Sequence, residues 1–285
     1  MKMTRSLMRT TAFALAIAAW APLAHSAVIP VTGWMVHNGT STVGGTASAP
    51  TFTRGDNVTL MAPFDDVVLA NDGDFIEGQT TLTLNARTAN TGINALNTQL
   101  RFALLGSTNA TLTAADFPNL GITMEYSNVA AGGLIREQSS ATQTNPFTSP
   151  TTIGNGSQDS GGDSIQGANP GPVTFVYKLT RNGGKLDGSG TISGTDSVSG
   201  NPYLAPFSFT GWSSATFPAN GTFTFNRMAV FLGPSADATS AVLNDSQVTT
   251  IPEPASLALA AGMVFGGLLT RRQPTRRAPR HAGRV

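Results

Sequence analysis

Hydrophobic and polar residues alternate along short segments between residues 27 and 251. Leu82 and Leu84 share one side of such a segment, and Leu100, Phe102 and Leu104 share one side of another. This period of two is typical of β-strands, whose successive side chains point to opposite faces. About nine segments show it, at residues 51–61, 80–87, 99–105, 121–126, 173–179, 190–193, 206–212, 222–232 and 241–248. Gly, Asn and Asp separate them, which predicts an all-β sandwich or barrel.

Turn chemistry and the lack of helical periodicity support this prediction. Residues 181–185 read Arg-Asn-Gly-Gly-Lys, the clearest hairpin signal, because Asn and Gly tolerate the positive φ of a tight hairpin turn. Between residues 27 and 251, no window keeps apolar residues at helical spacing. Residues 138–172 are rich in Ser, Thr, Asn, Gly and Pro, and we expect one long surface loop or insertion there.

The N-terminal segment, residues 1–26, has the pattern of a secretory signal peptide. Three cations precede an apolar run at residues 11–23, which we expect to form the signal helix. Small residues then place the cleavage site between Ser26 and Ala27. An uncleaved anchor is the alternative, but the apolar run is short for a membrane span.

A second apolar segment, residues 255–270, lies near the C-terminus. As a helix, residues 255–269 would extend about 22 Å, less than the roughly 30 Å hydrocarbon core of a bilayer. We therefore expect a short transmembrane helix that anchors the chain only marginally. The arginines after it would remain cytoplasmic, which leaves residues 27–251 on the outer side.

The residues around this helix form an ordered motif: Pro252, Glu253, Pro254, Arg271 and Arg272. Combined with the signal peptide, the motif closely resembles the PEP-CTERM sorting signal of Gram-negative bacteria. The resemblance implies export through the Sec translocon, a transient stay in the inner membrane and processing by an exosortase near Pro-Glu-Pro. Such proteins reach the cell surface or the extracellular matrix, often in species that make exopolysaccharide and biofilm. The basic tail is longer here than in such signals, and a plain C-terminal membrane anchor is the alternative.

Charge and composition exclude several classes of function. Residues 27–250 carry eight Lys and Arg against fifteen Asp and Glu, a formal charge of −7. This acidic body argues against nucleic acid as a partner. The chain has no cysteine, which excludes disulfides, thiolate metal sites and a cysteine nucleophile.

Candidate catalytic and metal-binding residues are few. His37 is the one histidine outside the end segments, and a solvated or packed histidine is the more common interpretation than a catalytic one. Asp72 and Asp74 lie in an Asn-Asp-Gly-Asp sequence that could hold Ca²⁺, although the same sequence is an ordinary turn. Otherwise no cofactor is predicted.

Carboxylates and aromatic rings are the side chains that would indicate carbohydrate cleavage or binding. Glycoside hydrolysis requires two facing acids about 5–10 Å apart. Glu125 is the one acidic residue with a clear strand position, opposite in phase to Met124 and Tyr126, and we expect it on an exposed face. Five aromatic residues could stack on sugar rings if exposed: Trp34, Tyr126, Tyr177, Tyr203 and Trp212. For Tyr177 and Trp212, packing in the core or a hairpin is the better interpretation of an alternating strand position.

The order of the strand segments carries a looser resemblance. Residues 72–75 precede one alternating strand, residues 99–105 form another, and residues 225–233 lead into the last. This order is similar to concanavalin-like jelly-roll sandwiches, including laminin-G-like and carbohydrate-binding modules, over residues 50–250. It implies a two-sheet antiparallel sandwich. The two end segments, the acidic body and the lack of a catalytic constellation together predict a non-enzymatic surface or matrix protein with a structural or adhesive role in exopolysaccharide. A carbohydrate-binding module is the alternative, and a glycoside hydrolase or lyase is the second alternative.

Overall fold

The alternation predicted from the sequence appears most regularly in the long strands. In the computed structural model, we describe residues 26–38, 41–53, 58–85, 100–107, 120–126, 133–138, 147, 151–155, 171–195, 199–213, 221–233 and 238–251. The strands in these ranges are β1 (Ala27–Pro30), β2 (Met35–Asn38), β3 (Val43–Gly45), β4 (Pro50–Thr53), β5 (Val58–Leu69), β6 (Phe75–Asn85), β7 (Leu100–Gly106), β8 (Leu120–Tyr126), β9 (Gly133–Gln138), β10 (Thr151–Asn155), β11 (Pro172–Asn182), β12 (Lys185–Thr195), β13 (Pro202–Trp212), β14 (Phe223–Leu232) and β15 (Ser240–Thr250).

The strands form two sheets. Sheet A has the order β13-β12-β11-β6-β15-β4-β3, and β1 also pairs with β15. Sheet B has the order β10-β9-β8-β7-β14-β5-β2. All pairings in the described part of the chain are antiparallel. The prediction of an all-β, two-sheet antiparallel sandwich is therefore confirmed.

The core lies between the inner faces of the two sheets. In β6, every second residue is buried, and the inner aromatic rings of the two sheets meet: the Phe102 and Phe175 centroids are 6.0 Å apart, and those of Tyr126 and Tyr203 are 5.6 Å apart. Gly78 of β6 leaves room for this contact, because a Cβ there would lie 2.9 Å from Phe102 and Leu104. Burial of these large side chains supplies most of the driving force for folding.

Sheet B is also covered on its outer face. A second apolar cluster lies there, made of Met61, Ala103, Leu105, Phe147, Ala229 and Phe231. The rings of Phe147 and Phe231 are 5.5 Å apart. In consequence, β14 is buried along both faces over most of its length. A strand covered on both sides loses the in–out alternation of a half-buried strand.

The local predictions have mixed outcomes. The hairpin at residues 181–185 is confirmed, since Asn182 pairs with Lys185 and the two glycines between them have φ values of 59° and 74°. The single strand region expected at 51–61 is two strands, β4 and β5. Strand β10 lies inside the segment expected to be a loop, residues 138–172.

The predicted end segments lie outside the described residues, apart from Ser26 and Ala27 at the expected signal cleavage site. Ala27 is the first residue of β1. Among the described residues there is no helix long and apolar enough to cross a membrane. The signal helix, the transmembrane helix at 255–270 and the sorting motif stay predictions. Residues 27–250 form one compact unit.

Candidate functional site

The predicted calcium residues have other partners in the structure. One oxygen of Asp74 accepts hydrogen bonds from the backbone N–H groups of Ala70 and Asn71, at 2.9 and 2.7 Å. Asp72 forms an ion pair with Arg181 of the neighbouring hairpin. In the described ranges, no three His, Asp or Glu side chains converge on one point. This geometry favours the turn interpretation over a calcium site, which needs six to eight oxygen ligands.

The prediction that Glu125 lies on an exposed face is wrong. Its side chain is fully buried, and its Oε2 lies 3.1 Å from Nε of Arg101 on the adjacent strand. The Arg101 guanidinium also donates a hydrogen bond of 2.5 Å to the carbonyl oxygen of Phe147 and lies 4.9 Å from the ring centre of Phe231. The phase of the alternation was right, but the second apolar cluster covers that face. Glu125 thus belongs to a buried ion pair, whose disruption would leave an uncompensated charge.

The aromatic residues considered for sugar stacking are all buried. Trp34 and Trp212 are at most 9% exposed, and the three tyrosines at most 1%. The alternative interpretation of Tyr177 and Trp212 as packed residues is confirmed, and Trp34, Tyr126 and Tyr203 are buried as well. Burial raises the pKa of Tyr177 well above its usual value. His37 is also buried, in β2 at the edge of sheet B.

The outer face of sheet A presents a polar surface. Its residues occupy the positions that alternate with the buried ones, and most are hydroxyl or amide residues. We define the polar face by Gln79, Thr81, Thr174, Thr191, Ser193, Asn244 and Gln247. These residues are half-buried and lie in two rows that cross β15, β6, β11 and β12, and the β11 position of the second row is Val176.

Hydrogen bonds and register order this face. In one row Asn244, Thr81, Thr174 and Ser193 are successive cross-strand neighbours, and the hydroxyls of Thr81 and Thr174 are 3.0 Å apart. In the next row, Nε2 of Gln247 lies 3.5 Å from Oε1 of Gln79. Opposite charges occur only beyond these rows, where Glu77 and Lys178 are neighbours.

Sequence reasoning missed the polar face, although its signal was present. Most off-phase positions of the alternating strands are Thr, Ser, Gln or Asn, and few are the charged residues usual on a solvated sheet face. The strand order was needed to show that these positions are adjacent. Hydroxyl and amide groups both donate and accept hydrogen bonds. Such a face can contact a neutral, hydroxyl-rich partner without desolvating many charges.

No protein-family model and no curated protein sequence matches this chain. Among solved structures, it is similar to arcelin-5, a lectin-like defense protein from Phaseolus vulgaris, with 12% identity, 79% of this chain and 97% of that chain covered, and a TM-score of 0.43. It is also similar to lectin I from Ulex europaeus, solved with the methyl glycoside of α-L-fucose (9% identity, 80% and 98% covered, TM-score 0.43). A legume lectin-like domain from Entamoeba histolytica aligns with 7% identity over 75% and 87% of the chains, at a TM-score of 0.36.

Proposed function

We propose that this chain is an exported surface or matrix protein whose concanavalin-like sandwich binds carbohydrate without catalysis. In this proposal, the signal peptide directs export through the Sec translocon, and an exosortase processes the chain near Pro252-Glu253-Pro254. The sandwich then contributes adhesion within exopolysaccharide. The ordered pattern of the two end segments supports the export step.

The observation that carries the binding step is the polar face of sheet A. It offers ordered hydroxyl and amide groups at half-buried positions on four adjacent strands. Alternate residues along a strand are about 7 Å apart, and adjacent strands are about 4.8 Å apart, so the groups form a flat grid. A polysaccharide chain presents many hydroxyls, and several weak hydrogen bonds along one chain add up through multivalency.

A polysaccharide pull-down with two matched double variants tests the binding step. Thr81→Val with Thr174→Val removes two hydroxyls that are 3.0 Å apart on the polar face. Thr42→Val with Thr53→Val removes a pair at the same 3.0 Å spacing that lies beyond the two rows of that face, at the β3–β4 edge of the sheet. Removing both partners of a hydrogen bond is nearly neutral for folding. We expect the first variant to be retained less than wild type on insoluble exopolysaccharide, and the second to be retained equally. Equal retention of all three, or no retention of wild type, would reject the binding step.

The export step has a separate test. Replacement of Pro252, Glu253 and Pro254 by alanine should leave full-length protein in the inner membrane, because the exosortase would lack its motif. Fractionation followed by immunoblotting measures this. Normal arrival of the variant at the surface would show that the sorting proposal is wrong.

A further inference from the structure

A gap in the pairing of β15 creates a second polar feature. On the side of β15 that faces away from β6, its residues 240–242 pair with β4 and residues 247–250 pair with β1. Neither strand pairs with the segment between them. On its other side the same segment carries a bulge, since Asn244 pairs with Thr81 and Gln247 with Gln79. Two residues, Asp245 and Ser246, therefore oppose the single residue Thr80.

This gap opens as a surface cleft of about 190 Å³. Three segments meet there: the chain after β1, the turn between β3 and β4, and the β15 bulge. The residues that line it include Pro30, Thr32, Ser48, Asp245, Ser246 and Gln247. The backbone of Val31 holds the first segment in place by donating a 2.9 Å hydrogen bond to the carbonyl oxygen of Ser246.

Asp245 has an unusual backbone conformation at this point. Its φ is 52°, and no other residue except glycine has a positive φ in the part of the chain that we describe. Aspartate adopts the left-handed conformation more readily than most L-residues, and glycine adopts it without strain. Within the described residues, no hydrogen bond or ion pair engages the exposed Asp245 carboxylate, so it is available to a ligand in the cleft. Sparsely populated backbone conformations cluster at ligand sites.

The chemistry of the cleft indicates a ligand class. One carboxylate, two exposed hydroxyls from Thr32 and Ser48, and the amide of Gln247 surround a small apolar surface from Pro30. None of the described lining residues is cationic, which disfavours anionic ligands, and one carboxylate is too few for Ca²⁺. A carboxylate can accept two hydrogen bonds side by side, as adjacent hydroxyls of a sugar ring donate them. Drug-sized ligands fill about 300–1,000 Å³, so this cleft suits a single ring.

We propose that this cleft binds one neutral sugar residue, with the Asp245 carboxylate accepting hydrogen bonds from two adjacent hydroxyls. The inference rests on the proposed function, because the sugar would be part of the same carbohydrate. Gln247 belongs both to the cleft and to the polar face, so the two sites adjoin. A polysaccharide on the polar face can place a terminal or branching sugar in the cleft.

The test uses the full chain, purified in a detergent without a sugar headgroup, and a set of methyl glycosides of neutral hexoses. Ligand-observed NMR and calorimetry measure binding. Asp245→Asn keeps the side-chain shape and tolerates the left-handed conformation, but it removes the charge that strengthens the hydrogen bonds. We expect wild type to bind at least one methyl glycoside, and Asp245→Asn to bind it about tenfold more weakly. Asp65→Asn, an exposed carboxylate on β5, is the matched control and should bind as wild type does.

The outcomes separate this inference from the proposed function. If wild type is retained on polysaccharide but no methyl glycoside binds, or if Asp245→Asn binds as well as wild type, the cleft proposal is overturned while the polar face stands. If wild type binds neither probe, both proposals are wrong. Asp245→Gly should unfold at a higher temperature than wild type, because glycine adopts the positive φ without strain, and it should still bind the glycoside weakly. Weak binding by this more stable variant could not be caused by misfolding.

Discussion

Gly188 of β12 lies against the ring of Phe209 on β13, its cross-strand neighbour. An alanine Cβ at position 188 would be 2.1 Å from Cε1 of that ring, so either the ring or the strand would have to shift. We expect Gly188→Ala to lower the free energy of unfolding by about 1–3 kcal/mol, the usual cost of overpacking. Urea denaturation measures this, with Gly44→Ala as control because its nearest atom would be 3.9 Å away. Equal stability of the two variants would contradict the packing argument.

The Tyr177 hydroxyl is buried without a hydrogen-bond partner among the described residues. At neutral pH, Tyr177→Phe should therefore leave the free energy of unfolding unchanged or raise it by up to about 1 kcal/mol. Burial raises the pKa of Tyr177, so above its ordinary value, near pH 10, the unfolded chain loses this proton before the folded protein does. Stability must then fall as the pH rises. Denaturation between pH 9 and pH 11 should show a steeper fall for wild type than for Tyr177→Phe. Parallel curves would mean that Tyr177 titrates alike in both states.

At the scale of elements, Arg181 joins three connections at one end of sheet A. Its Nε donates a 2.7 Å hydrogen bond to the carbonyl oxygen of Gly221 before β14, and its Nη1 pairs with Asp72 in the turn before β6. Its own backbone N–H and carbonyl bind Asp74 and Gly73 of that turn, both at 2.9 Å. We expect Arg181→Gln to lower the free energy of unfolding by about 1–2 kcal/mol, because Gln cannot satisfy both acceptors.

Lys185→Gln is the control for this prediction, since it removes an exposed cation from the same hairpin. Urea denaturation should show little change for it.

The geometry of the turn also predicts that wild type has the same melting temperature in millimolar Ca²⁺ as in EDTA. A rise in that temperature with Ca²⁺ would restore Asp72 and Asp74 as calcium ligands.

Strands β6, β11 and β13 were predictable because one face of each is buried and the other is partly or fully exposed. β6 keeps this alternation over its whole length, and β11 and β13 keep it up to their last two residues. Five strands were missed. The pattern is too brief in β1, β2 and β3, and β9 and β10 lie in or near a polar stretch. Glu125 shows a different limit. Period two assigns a residue to one of two faces, but only the fold shows that a second apolar cluster covers that face.

The polar face and the cleft could not be predicted from the sequence pattern either, because both depend on which strands pair. The alternation placed Thr81 and Thr174 off the core, yet their hydroxyls are 93 positions apart in sequence and meet only through the pairing of β6 with β11. The cleft depends on where β1 and β4 stop along β15, which no local pattern encodes. Asp245 reads as an ordinary polar residue in a strand, and its positive φ follows from the bulge.

For the whole molecule, the order of the strands along the chain decides when folding can finish. The last two strands lie inside the sheets: β14 between β7 and β5, and β15 between β6 and the β1 and β4 strands. A chain that ends at residue 238 lacks β15 and would expose the edge of β6 that pairs with β15. We expect it to stay unfolded, whereas a chain that ends at residue 251 should reach the native state, because non-local pairings must form together. Near-UV circular dichroism of the buried tryptophans and urea titration distinguish the two chains. A cooperative transition in the shorter chain would show that β15 is dispensable. Late completion also suits the proposed export, since a chain must cross the translocon before its sandwich closes.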